Sequence, residues 1–244
     1  MKALILAAGY ATRLYPLTEN QPKALLPIAG KAIIDYILDE IVSIPAIDHV
    51  YVISNHKFAA NFEEWLSHQS GKIPISIVDD GSTSEENKLG AIGDIQLAIN
   101  RYAMDDDVLI IAGDTFFTFQ LKDFYQFYAL HQKDCFLVKE IQDIKQLQRM
   151  GVVELDETGR VVGFEEKPLS PKSNKASFAG YLYRSDTLPL IGQYLSEGGN
   201  PDAPGFFPAW LYTRKEVLAY PIQGECYDIG TPESYRDINQ KMKF

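Results

Sequence analysis

The chain has 244 residues, 46% of them apolar and 12% aromatic, with a formal charge of −10. This apolar content can build a core and excludes a disordered chain. The negative charge argues against non-specific nucleic-acid binding, which depends on Lys and Arg neutralising phosphates.

The opening MKALILAAG carries an apolar run of only about seven residues before Gly9, Thr12 and Arg13, too little for a signal peptide. It reads instead as a buried strand over Ala3–Ala7. No later segment approaches the roughly 18 apolar residues of a membrane helix, so the expectation is a cytoplasmic protein with no membrane partner. Apolar periodicity around Ile33–Ile41 predicts a helix. The strand pattern His49–Ser54 follows, then a helix near Phe58–Ser67, a strand Ile73–Val78, a helix from Leu89 to about Arg101, a strand Asp107–Ala112 and a helix Leu121–His131. This βαβ alternation implies a mainly parallel, Rossmann-like sheet flanked by helices.

After Lys133 the strands shorten: Cys135–Glu140, Val152–Leu155, Val161–Phe164 and Ala179–Arg184. In VVELDETGRVVGF the turn Asp156-Glu157-Thr158-Gly159 separates two alternating runs and predicts an antiparallel hairpin. The expected fold is therefore mixed α/β with an antiparallel lobe. It is read as a single domain over 1–244, with halves of about 1–133 and 134–244, because no Gly/Ser/Pro-rich linker divides it. Cys135 and Cys226 lie far apart, outside any CxxC pair, and the four histidines form no zinc-like cluster. Both cysteines are read as reduced.

Ligands of open α/β sheets bind outside the carboxyl ends of the strands, which directs attention to LAAGYATRLYPLTENQPKALLP, from Leu6 to Pro27. Ala7, Ala8 and Gly9 let the backbone turn sharply and leave N–H groups for a phosphate. Arg13 adds a planar cation, Lys23 a second one, and Pro16, Pro22 and Pro27 stiffen the path between them. Small residues end many strands, however, and loop cations usually face water.

The long spacing of LAAGxxTRL followed by PLTxxxPKxLLP resembles the signature of the sugar-phosphate nucleotidyltransferases, the nucleoside-diphosphate-sugar pyrophosphorylases. This family includes glucose-1-phosphate thymidylyltransferases and mannose-1-phosphate guanylyltransferases. The resemblance implies that Ala8, Gly9, Ala11, Thr12, Arg13 and Lys23 hold a nucleoside triphosphate, although the family often has glycine where this chain has Ala11. It implies that Leu89, Gly90 and Ala91, in NKLGAIGDI, lie beneath the base; helix packing is the plainer explanation of those glycines. Asp114, at the end of IIAGD, would contact the nucleotide and bind Mg²⁺ together with Asp228 of YDIGTPE; alone, Asp114 could be a helix cap. Thr231 as N-cap and Pro232 at the first helical position explain the helix start there without any catalysis. Glu166 and Lys167 of EEKP would take the sugar hydroxyls and the sugar phosphate, with Gly151 and Gly180 allowing backbone contact. A solvated ion pair and two strand bends are the plainer readings.

The implied reaction is attack by a sugar 1-phosphate on the α-phosphorus of the triphosphate, with pyrophosphate leaving. Arg13, Lys23 and Lys167 are the catalytic cations. Two rivals stay open: a cytidylyltransferase acting on phosphocholine or a phosphonate, with Trp210, Tyr212 or Tyr227 as a cage for the quaternary ammonium, and a noncatalytic sugar-nucleotide sensor. Only about 16 residues follow Asp228 and no hexapeptide repeats are present, so neither an acyltransferase β-helix nor extra regulatory helices are expected. Base, sugar and oligomeric state are left open.

Overall fold

The strand Lys2–Leu6 buries Ala3, Leu4 and Ile5 completely, the unbroken burial that a parallel strand covered on both faces requires. It pairs in parallel with His49–Ser54, which in turn pairs in parallel with Ile75–Asp79. The helices Ile33–Val42 and Ala59–Ser67 occupy the connections, the first burying Ile33, Ile34, Ile37, Leu38 and Ile41 along one stripe. This computed structural model describes residues 1–242, and of Asp228 only the backbone. Among the described residues no helix is long and apolar enough to cross a membrane, and neither Cys135 nor Cys226 is in a disulfide. The fold is mixed α/β, with a mainly parallel sheet flanked by helices.

Two compact units are formed. The first comprises residues 1–89, 111–122 and 224–244, the second residues 90–110 and 123–223. The division is discontinuous in sequence and does not fall at one point near residue 133.

In the first unit the chain leaving the strand Val108–Ala112 passes very close to the opening strand. The Gly113 N–H bonds to the Leu6 carbonyl at 2.8 Å, and a Cβ on Gly113 would stand 2.9 Å from Ile5 Cγ2. Thr115–Phe117 then pairs antiparallel with Cys226–Asp228, with Asp228 opposite Thr115. The helix Pro232–Lys241 starts as expected: the Thr231 hydroxyl accepts the Ser234 N–H, Ser234 reciprocates at the Thr231 N–H, and Pro232 opens the first turn. Tyr235 ties this helix back by donating to the Pro27 carbonyl at 2.6 Å.

In the second unit Asp134–Glu140 pairs antiparallel with Lys175–Tyr183, which pairs antiparallel with Gly151–Leu155. Gly151–Leu155 forms the expected hairpin with Val161–Glu166, and Val217–Pro221 lies parallel to Asp134–Glu140. The hairpin turn is held by Asp156, whose Oδ1 accepts the N–H groups of Thr158 and Arg160, while Gly159 supplies the left-handed backbone at φ 82°. Lys175–Tyr183 begins four residues ahead of the expected Ala179 and shifts register between Phe178 and Tyr181. Wholly buried Tyr183 packs edge-on against Phe207 of the helix Phe206–Leu211. Asp134, 1% exposed, accepts the Arg184 N–H at 2.8 Å and the Thr187 hydroxyl at 2.7 Å, and pairs with Lys215 Nζ at 2.9 Å.

Candidate active site

The loop after the opening strand is fastened before it reaches Arg13. The Ala7 N–H bonds to the Ile53 carbonyl, and the buried Asn55 amide donates to the Ala8 carbonyl at 2.9 Å. The chain then passes through Ala11 at φ 49°, ψ 40°, left-handed territory that costs an alanine about 1 kcal/mol or more. Wholly buried Thr18 holds that residue by donating to its carbonyl at 2.8 Å. Alanine therefore keeps the left-handed turn that glycine would adopt freely.

A cavity of about 250 Å³ opens against this loop, lined by Gly9, Ala11, Thr12, Arg13, Lys23 and Asp114, with Tyr10, Glu85 and Gly230 among the further wall residues. Ala8 is not among the lining residues, and its carbonyl is taken by Asn55. Arg13 is exposed and makes no ion pair with a described residue. Lys23, 7% exposed, extends to Asp114 Oδ2 at 2.8 Å, while the Asp114 side chain remains half exposed. The Tyr10 and Ser82 hydroxyls hydrogen-bond at 3.3 Å and join the glycine turn to the acidic loop. Burial pushes the Tyr10 hydroxyl above its ordinary pKa, as do Asp80, Glu85 and Glu86.

Among the described residues no three His, Cys, Asp or Glu side chains cluster as a metal cage. A hard cation needs only one or two carboxylates when substrate phosphates complete its shell. Asp114, half exposed on the cavity wall, has the oxygen chemistry and the access for that role. The side chain of Asp228, the second expected metal ligand, lies outside the described residues.

In the second unit Glu166 ends the strand Val161–Glu166 and Lys167 follows it directly, and Gly151 lies opposite Glu166 in the hairpin register. Lys167 is exposed, with its backbone left-handed at φ 52° and its N–H bonded to the Met150 carbonyl. Burial raises the pKa of the Glu166 carboxyl above the usual carboxylate range, and Lys167 pulls it partly back. Gly180 has a packing reason to be glycine, since a Cβ there would stand 2.3 Å from Leu137 Cδ1.

Gly90 has a similar reason. It sits at φ 78°, and a Cβ would lie 2.5 Å from the Pro201 carbonyl oxygen, because the Ala91 and Ile92 N–H groups bond to the backbone of residues 202 and 201. Gly90→Ala is expected to destabilise by about 2 kcal/mol or more, from left-handed strain plus the clash, and a urea midpoint measures it. Leu89 is partly exposed and does not line the cavity of the first unit.

The nucleotidyl transferase family model matches residues 2–243. The chain belongs to the nucleotidyl transferase family. Relatives that it matches include a Sulfolobus acidocaldarius protein provisionally named mannose-1-phosphate guanyltransferase, at 31% identity over 244 residues, 99% of this chain and 63% of that one. The glucose-1-phosphate adenylyltransferase of Geobacillus stearothermophilus is 29% identical over 257 residues, 98% of this chain and 65% of that one. This nucleotidyl transferase chain thus spans about 63–65% of the length of these two curated relatives. A solved Bacillus anthracis structure, provisionally titled glucose-1-phosphate thymidylyltransferase in complex with a sucrose, shares the fold. Its TM-score is 0.83 at 23% identity, over 100% of this chain and 95% of that one.

Within this nucleotidyl transferase framework, Gly205 was not foreseen beside Glu166. The two are 39 positions apart, and the segment NPDAPGFFPAWL gives no periodic signal. Tyr10 and Glu85 were also missed as cavity residues; the acidic loop Asp80–Lys88 carried no readable motif.

Proposed function

We propose that this chain transfers a nucleotidyl group from a nucleoside triphosphate to a sugar 1-phosphate, releasing pyrophosphate. The observation that carries the reading is the joint presence of Arg13, Lys23 and Asp114 on one cavity wall beside the turn at Gly9. In this reading the chain works as a single domain. Its triphosphate-binding residues are Ala8, Gly9, Ala11, Thr12, Arg13, Lys23 and Asp114, with Leu89, Gly90 and Ala91 toward the base. Gly151, Glu166, Lys167 and Gly180 receive the sugar phosphate.

The nucleophile is a phosphate oxygen, already anionic at neutral pH, so no general base is required. The protein has to offset the repulsion between two polyanions by holding them and placing cations where charge is transferred. Arg13 and Lys23 neutralise the triphosphate, and Lys167 the attacking phosphate. Asp114 and Asp228 are the proposed holders of Mg²⁺, which when bound neutralises phosphate charge.

The provisional name of the Sulfolobus acidocaldarius relative favours GTP as the donor. A phosphocholine acceptor is disfavoured, since Arg214 already covers the Trp210 ring at 3.7 Å and Lys241 stands over Tyr227 at 5.2 Å.

The test is a grid of the common nucleoside triphosphates against mannose 1-phosphate, glucose 1-phosphate and phosphocholine with Mg²⁺, scored by pyrophosphate. Release is expected with a sugar 1-phosphate, fastest with GTP, and is expected to stop when EDTA removes the metal. Silence with every sugar phosphate would remove the reading.

A further inference from the structure

Glu166 lies in a slot between two glycines. A Cβ built on Gly205 would come within 2.1 Å of its Oε2, and one built on Gly151 within 2.9 Å of the same oxygen. Among the described residues no donor hydrogen-bonds the Glu166 carboxylate, although burial has already raised its pKa. A desolvated carboxylate left without a donor costs stability, and such a cost is ordinarily retained where the group serves a ligand.

Gly205 has no conformational reason to be glycine. Its φ of −69° and ψ of −16° are right-handed helical values that any residue adopts. It sits immediately before the helix Phe206–Leu211, and the Ala209 N–H bonds to its carbonyl. In a helical backbone alanine is more stable than glycine by about 1 kcal/mol, so the local structure alone would favour alanine. The nearest obstacle to a side chain is Glu166 itself: the three atoms closest to the built Cβ are all from its carboxylate.

We propose that Gly205 is a positioning residue: by lacking a side chain it leaves the Glu166 carboxylate the one place from which it can accept hydroxyl hydrogens of the sugar phosphate. The inference rests on the sugar 1-phosphate reading above and deepens it. The 2.1 Å contact is to the far end of a rotatable side chain, so a methyl group at position 205 displaces the carboxylate and leaves the fold intact. Gly151 differs in this respect, because its Cβ would also meet the Phe164 ring at 2.7 Å, and a substitution there mixes packing with function.

The experiment uses the full chain, with mannose 1-phosphate and glucose 1-phosphate as probes. Gly205→Ala is expected to raise the KM for the sugar phosphate by about tenfold, with kcat changed by no more than about twofold and the KM for the triphosphate unmoved. Its melting temperature should stay within about 2 °C of wild type. Glu166→Asp shortens the side chain away from the methyl, so the double variant Gly205→Ala/Glu166→Asp should bind the sugar phosphate better than the product of the two single effects. An unchanged sugar-phosphate KM in Gly205→Ala, or a double variant showing the simple product, overturns the proposal. A wild type that releases no pyrophosphate removes the catalytic reading separately. Calorimetric titration of the same sugar phosphates then decides the slot's role: weaker binding by Gly205→Ala supports it, and equal binding or none by the wild type ends it.

Discussion

Lys23→Ala lowers turnover by at least about a hundredfold, a barrier increase of roughly 3–4 kcal/mol, as expected for the loss of one preorganised charge at a transferring phosphoryl group. The lysine stem is buried, so the ammonium is delivered to the cavity wall in a restricted position beside Asp114 Oδ2, at 2.8 Å. A loose surface lysine would give far less, because water screens it and its side-chain entropy opposes a fixed geometry. The fold should survive. Asp114 is half exposed, and water replaces the ammonium when it is removed, so the loss of stability is held to about 1–2 kcal/mol. The check is the rate of pyrophosphate release at saturating substrates beside a melting curve. A rate within about threefold of wild type, well short of the expected electrostatic loss, would take Lys23 out of the chemistry.

Lys215→Met is the largest expected loss of stability. It strands Asp134, whose carboxylate is 1% exposed. The Arg184 N–H and the Thr187 hydroxyl remain as donors, which places the cost near the lower end for breaking a buried pair, about 3 kcal/mol. For a chain of this size that corresponds to a melting temperature roughly 6–12 °C lower. Neutralising the stranded acid should recover most of it: Asp134→Asn keeps an oxygen for the Arg184 N–H, and the double variant Asp134→Asn/Lys215→Met is expected to melt well above the Lys215→Met single. If all three proteins melt together, the pair contributes nothing and the idea fails.

The parallel strands of the first unit were readable in the sequence because burial on both faces writes an unbroken apolar run: ALI in the first strand and VYVIS in His49–Ser54. The helix at Pro232–Lys241 was readable from its cap, since Thr231 and Pro232 each have one obvious use there. Lys175–Tyr183 was read four residues short. Its leading Lys175-Ala176-Ser177 has no strand signature, and its pairing comes from partners at Glu140 and Gly151 that local sequence does not reveal. The helix Phe206–Leu211 carries Pro208 and follows a glycine, both unfavourable locally; it is held by Phe207 packed against Tyr183 and Tyr194. In the candidate site, Arg13, Lys23 and Asp114 could be read because loop chemistry is contiguous or sits at a strand end. Gly205 could not be read, since what makes it a glycine is a carboxylate from another strand.

The fastening of the loop after the opening strand has a kinetic consequence. The carbonyl oxygens of Ala8 and Ala11 would repel an incoming anion, yet both are occupied by donors from buried side chains, Asn55 and Thr18. The entropic toll of ordering this backbone is therefore levied when the polypeptide matures and is not charged again at each encounter. Amide exchange at Leu14, Tyr15 and Leu17, whose N–H groups bond to carbonyls within the loop, should accordingly change little when a guest arrives, whereas the N–H groups left for a phosphate near Gly9 should slow only then.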